Sequence, residues 1–225
     1  MRATALRVTP REYLLVVERL LQHAGLDRGV VVPLRDSVLD AELATGAALR
    51  YMIDAAGRIA ACAPNRLTGD GVPALLVAPS VLDEARRLGT VTITGLDAPQ
   101  LLAGLRISGV RHGLEVQVRI EDVAARVSVL GPAPVPASSA ERLAGGPERL
   151  GAVTAGIVVD AELWWAAYRR SNLALSVDTR TSRRHAGATL VAEDGTLLGA
   201  TDDEFDPTIY SGDREALFDE SKEQT

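Results

Sequence analysis

Lysine is almost missing from this chain. Of its 24 Lys and Arg residues only Lys222 is a lysine. It sits in the polar stretch Ser221-Lys222-Glu223-Gln224-Thr225, which is not expected to be held by packing. Schiff-base catalysis, pyridoxal-phosphate chemistry and a Walker-type phosphate loop all need a lysine fixed in a folded site, so those classes are excluded. An arginine-rich codon usage accounts for the asymmetry without invoking function.

Cysteine is equally scarce. With Cys62 alone, no intramolecular disulfide can form and a disulfide-stapled scaffold is excluded. Cys62 follows the apolar Ile59-Ala60-Ala61 and reads as a small hydrophobe rather than a nucleophile. Aromatics make up 4% of the chain, so the core must be built from Ala, Val and Leu. That scarcity also weakens any reading as a stacking platform for single-stranded nucleic acid. No apolar run approaches the roughly 20 residues that span a bilayer, and Met1 to Arg7 lacks the apolar stretch of a signal peptide. No membrane association is expected, and a cytoplasmic location is the default.

Standard catalytic and cofactor fingerprints are missing too. The sequence contains no GxGxxG, GxSxG, HExxH or CxxC. The three histidines, His23, His112 and His185, fall in separate segments, and their spacing does not encourage a shared metal. Neither a metal nor a cofactor is expected. His23 lies at the end of the first expected helix, where an imidazolium interacts with terminal carbonyls. Ser108-Gly109-Val110-Arg111-His112-Gly113 reads as a tight connection between elements, with His112 a minor candidate for a cleft.

What is present is an ordinary globular balance, 47% hydrophobic and 24% charged over 225 residues. The net charge of −6 is uneven. From Asp202 to Thr225 nine acids face Arg214 and Lys222, a net of −7, which leaves +1 on residues 1–201. A balanced body with an acidic tail disfavours duplex binding by long-range attraction, so nucleic acid is not an expected partner.

The pattern predicts an α+β protein, with mixed helices and mainly antiparallel strands. Thr9-Pro10-Arg11-Glu12 carries the signals of a helix start, and Gly25 ends that helix. A second helix is expected from Asp36 or Ser37 to Ala56. The run Val30-Val31-Val32-Pro33 is ambiguous, and Leu75-Leu76-Val77 reads as a buried strand before a helix capped by Ser80. Thr90 to Thr94 is β-branched throughout, a strand signature. A helical segment is expected to open at Asp97-Ala98-Pro99. Leu114 to Ile120 alternates strictly and predicts a strand with one wet face, paired with Ala124 to Leu130.

Gly131 to Ser139 holds three prolines and predicts a Pro/Ala/Ser-rich connector between two lobes. The expected organisation is an N-terminal lobe over 1–130, a linker over 131–149, a C-terminal lobe over 150–213 and an acidic tail over 214–225. In the second lobe, Ala152 to Val159 reads as a strand and Asp160 as the cap of a helix carrying Leu163, Trp164 and Ala167. The second ring of Trp164-Trp165 falls on another face, where it packs under a loop or marks a subunit contact. Glu193-Asp194-Gly195 between two apolar runs predicts a hairpin.

The densest cluster of chemistry-bearing residues is Asp178 to Gly187. There Arg180, Ser182, Arg183 and Arg184 form a candidate anion site, since guanidinium forks and hydroxyls hold carboxylate or phosphate. His185 is the candidate general acid or base, with Asp178 as its orienting partner. Arg169 and Arg170 precede them, and Glu162 and Asp160 are further carboxylates of that reading. The competing account is a solvated arginine loop, neutralised by Asp202-Asp203-Glu204-Phe205-Asp206. The expected function is an accessory or partner-binding subunit of a larger complex, with a protein partner or a homo-oligomer. The alternative is an enzyme or sensor for a small anionic metabolite, centred on Arg180 to His185.

Overall fold

The computed structural model describes residues 4–61 and 71–175. Strand β1 (Ala5–Val8) leads into helix α1 (Pro10–His23). Both arms of the expected capping box form. Thr9 Oγ1 accepts from the Glu12 amide at 3.2 Å, and Glu12 Oε2 accepts from the Thr9 amide at 2.7 Å. The helix buries Tyr13, Val16, Val17, Leu20 and Leu21, so its inner face is centred on Tyr13 and Val17 rather than on Leu14.

Helix α2 (Arg28–Thr45) begins well before Asp36 and takes in the ambiguous Val30-Val31-Val32-Pro33. Val31, Leu34, Val38 and Ala41 are all buried at helical spacing, and that burial outweighs the poor helix propensity of valine and of an internal proline. The expected long second helix is broken at Gly46, whose φ of 67° closes α2 in the left-handed region. It resumes as α3 (Ala48–Asp54) and α4 (Ala56–Ala61).

Past the short β2 (Val72–Pro73), the expected strand at Leu75 is instead the first turn of α5 (Ala74–Leu88). Ala74 through Ala78 are buried without interruption. A continuous apolar run has no period of its own, and the length of α5 resolves it as helix. Ser80 therefore lies inside a helix rather than at its cap. Strand β3 (Thr90–Ile93), the short β4 (Leu96–Asp97) and a 3₁₀ segment (Pro99–Gly104) follow, the last leading into α6 (Leu105–Arg111). Strands β5 (Leu114–Glu121) and β6 (Ala124–Pro132) form the expected hairpin.

Between Ser139 and Ala155 the chain forms two helices, α7 (Ser139–Ala144) and α8 (Pro147–Ala155). The expected strand from Ala152 is thus split: its first half completes α8, Gly156 turns the chain, and only β7 (Ile157–Asp160) is extended. Asp160 caps α9 (Ala161–Ser171) as expected, its Oδ1 accepting from the Leu163 amide at 2.8 Å.

The architecture is α+β with mainly antiparallel strands. β1 pairs antiparallel with β7, β3, β6 and β5 form an antiparallel sheet in that order, and β2 and β4 make a two-residue parallel pair. Two hydrophobic clusters lie within Met1–Leu175. In one, Tyr13, Leu39 and Leu49 pack with Ala152, Ile157 and Trp164. In the other, Val77, Val81 and Leu102 pack beneath Ile93, Val116 and Val127 of the three-stranded sheet. Among the described residues, no helix is long and apolar enough to cross a membrane.

Candidate functional site

Charge enters the interior at α2. Asp40 is fully buried and Glu42 nearly so. Each occupies a position that a helix pointing into a core would normally give to an apolar residue, so each must be matched by donors. Asp40 Oδ1 accepts from Arg149 Nε of α8 at 2.7 Å, and its Oδ2 accepts from Ser108 Oγ of α6 at 2.6 Å. One helical turn earlier, Asp36 Oδ2 lies 3.1 Å from Arg111 Nη1, while its backbone carbonyl accepts from Arg149 Nη2 at 3.2 Å. Arg111 Nη2 and Arg149 Nη2 complete a ring of two carboxylates and two guanidiniums, at 3.6 Å from Asp40 and 3.7 Å from Asp36. The ring is neutral and fastens α2 to α6 and α8.

Both oxygens of Asp40 are engaged, so the ring works as a fastener rather than as a vacant anion or cation site. Beside it lies a cleft of about 320 Å³ bordered by Arg111, Arg142, Pro134, Val135 and Gly146. Neighbouring His112 has its pKa lowered, first by partial burial and then by the charge of Arg111. The sequence hinted at the ring only through the i, i+4 spacing of Asp36 and Asp40. Their arginine partners lie far along the chain, on separate elements.

Glu42 serves a second internal junction. Its Oε2 accepts from the Leu49 amide at 2.8 Å, closing the open first turn of α3, and from Tyr13 Oη at 3.2 Å. Tyr13 stacks on Trp164 with centroids 6.5 Å apart. Burial first, then the charge of Glu42 and the hydrogen bond to it, push the Tyr13 hydroxyl well above its ordinary value of 10. The fold therefore requires a neutral phenol. This contribution is intact below pH 10, where unfolded tyrosine also keeps its proton. Above that the unfolded state loses protons that the native state retains. Stability should then fall by about 1.4 kcal/mol per pH unit until the folded pKa is reached. Urea unfolding at successive pH values above 10 should show this decline, and Tyr13→Phe should remove Tyr13's share of it.

The outer surface carries a different kind of signal. Among the described residues there are five aromatic side chains. Two of them, Trp165 and Tyr168, remain 47% and 40% exposed on α9, packed edge-to-face with centroids 5.7 Å apart. Leu173 and Leu175, just beyond the helix, are exposed as well. Glu162 and Arg169, one turn to either side of Trp165, give this apolar surface a charged rim.

The residues named from the sequence, His185 and Asp178 as catalytic and Arg180, Ser182, Arg183 and Arg184 as anion-binding, lie outside the described residues, as do Cys62, the 189–199 hairpin and the acidic tail. Of their proposed neighbours, Arg170 donates to the Ile53 carbonyl at 3.3 Å and Asp160 is engaged as a cap, while Glu162 and Arg169 face outward. His23 occupies the last turn of α1, as expected. Among the described residues, no cluster of His, Cys, Asp and Glu is placed to hold a metal ion. No protein family, curated protein or solved structure matches the chain.

Proposed function

We propose that the protein is a partner-binding subunit, working within a larger assembly through the outer face of α9. The observation that carries this reading is the exposed Trp165–Tyr168 pair. A chain poor in aromatics leaves two large rings about half exposed and packed edge-to-face, with two exposed leucines following just beyond the helix. Trp and Tyr dominate the energetics of protein interfaces because they bury much surface at little entropic cost, and a polar rim around an apolar centre is the usual interface anatomy. The interior ionisable groups support the same reading, since buried Asp40 and Glu42 and the half-buried Arg149 and Arg111 hold helices together and, among the described residues, leave no charged group poised for chemistry there.

The test is recovery of tagged wild-type and Trp165→Ala/Tyr168→Ala proteins from their native cells, followed by native mass spectrometry. One stoichiometric protein partner is expected with the wild type and should be lost from the variant. The isolated variant should stay folded and lose about 2–3 kcal/mol, because each ring is only about half shielded from water. A retained small anion on a partner-free chain would overturn this reading in favour of the metabolite-binding one.

A further inference from the structure

Among the described residues, strand β5 has an open edge. In the order β3-β6-β5, its far side pairs with no other strand among the described residues. At eight residues it is twice as long as β3, β1 or β7 and contains no proline or glycine. The register shift opposite Glu115 and Val116 places the extra residue, Leu130, in β6, so β5 itself keeps its alternation. Such an edge is a template for another strand, and folded proteins usually blunt it.

We propose that β5 pairs antiparallel with β5 of a second copy, about a two-fold axis through Gln117, joining two three-stranded sheets into one of six strands. The residues Leu114-Glu115-Val116-Gln117-Val118-Arg119-Ile120 are self-complementary about that point. With Gln117 opposite itself, Val116 meets Val118, Leu114 meets Ile120 and Glu115 meets Arg119, each pair occurring twice. Neighbouring axes do worse. An axis at Val118 sets Glu115 against Glu121, axes at Glu115 or Arg119 oppose like charges directly, and an axis at Val116 leaves Ile120 without a partner. The two-fold fits whether the outward-facing backbone groups belong to Gln117 or to its neighbours, since either phase yields paired hydrogen bonds in an antiparallel ladder.

Two further observations favour this occupant. Ile120 is 38% exposed although it lies on the apolar face of the sheet, and Leu114 of the second copy would cover it. Arg119 sits directly across from Arg126 of β6, and among the described residues neither forms an ion pair. Like charges facing each other across a ladder are unfavourable. Pairing about Gln117 gives each Arg119 a carboxylate on its open side. The edge belongs to a different element from α9, so this inference stands apart from the partner-binding reading.

The experiment is sedimentation of the full-length protein at low salt, with a charge swap across the proposed axis. Wild type is expected at twice the 23.8 kDa chain mass. Glu115→Arg or Arg119→Glu alone sets like charges opposite one another twice, and should weaken dimerisation about 10- to 30-fold. The double variant restores opposite charges and should dimerise within about threefold of wild type. In a Cys62→Ser background, Gln117→Cys should crosslink copies on mild oxidation, because facing Cα atoms lie about 4.5–5.5 Å apart. Glu121→Cys should not, because its two copies would lie roughly 27 Å apart along the paired strands. A wild-type monomer, a dimer indifferent to the single charge changes, or a dimer that Gln117→Cys does not crosslink would each overturn the proposal.

Discussion

Arg149→Met is expected to destabilise the fold by about 3–5 kcal/mol, because it strands a buried carboxylate. Asp40 is fully shielded from water, and Arg149 Nε at 2.7 Å is its closest cationic partner. The Arg149 side chain is itself only 13% exposed, so water cannot replace it without opening α8. The remaining donors do not compensate. Ser108 carries no charge, and Arg111 approaches Asp40 only to 3.6 Å while also serving Asp36. The converse change separates the value of the pair from the penalty of breaking it. In Asp40→Leu/Arg149→Met no charge is left unmatched at Asp40, so the loss should be much smaller than the sum of the two single losses. Urea unfolding of the four proteins closes this cycle. If Arg149→Met costs under about 1 kcal/mol, the ring is a solvated surface feature and the buried-fastener account fails.

The same ring shows where sequence reading succeeds and where it stops. Local signals were legible: the capping box at Thr9 and Glu12, the cap at Asp160, and the alternation that places β5 against β6. Each rests on residues within a few positions of one another. Continuous apolar runs were not legible. Val30-Val31-Val32-Pro33 and Leu75-Leu76-Val77 carry no period, and only their neighbours in space make them helix. The split of Ala152 to Val159 into α8 and β7 turns on Gly156, whose role depends on the chain doubling back beside Arg7 and Val8. The pairing within the ionic ring was out of reach for a stronger reason. Asp40 and Arg149 are 109 positions apart, and no spacing rule connects them. The residues that self-complement along β5 were visible as an alternating strand. Their open edge depends on the strand order β3-β6-β5, which the alternation alone does not state.

Gly104→Ala should cost about 3 kcal/mol or more, although helix propensity alone favours alanine by up to about 1 kcal/mol. Gly104 has an ordinary right-handed backbone, with φ −59° and ψ −22°, so conformation does not require glycine there. Space does. A Cβ would sit 2.5 Å from the Ala41 amide nitrogen, 2.7 Å from its Cα and 2.7 Å from the carbonyl carbon of Asp40. All three are backbone atoms of α2, and no rotamer change can move them aside. Relief requires α2 to separate from the 3₁₀ segment, which disturbs Asp40 at the point where Arg149 and Ser108 grip it. The effects of Gly104→Ala and Arg149→Met should therefore fail to add. Trimming the neighbour does not help either, because Ala41→Gly leaves the obstructing nitrogen and Cα in place. Gly57 supplies the contrast. It is exposed within α4, and a methyl group there would meet nothing within 4 Å, so Gly57→Ala should stabilise by about 0.5–1 kcal/mol. Thermal or urea unfolding decides the matter through the sign. If both substitutions stabilise, the approach of the 3₁₀ segment to α2 is looser than 2.5 Å implies, and close packing at Gly104 does not fix the position of Asp40.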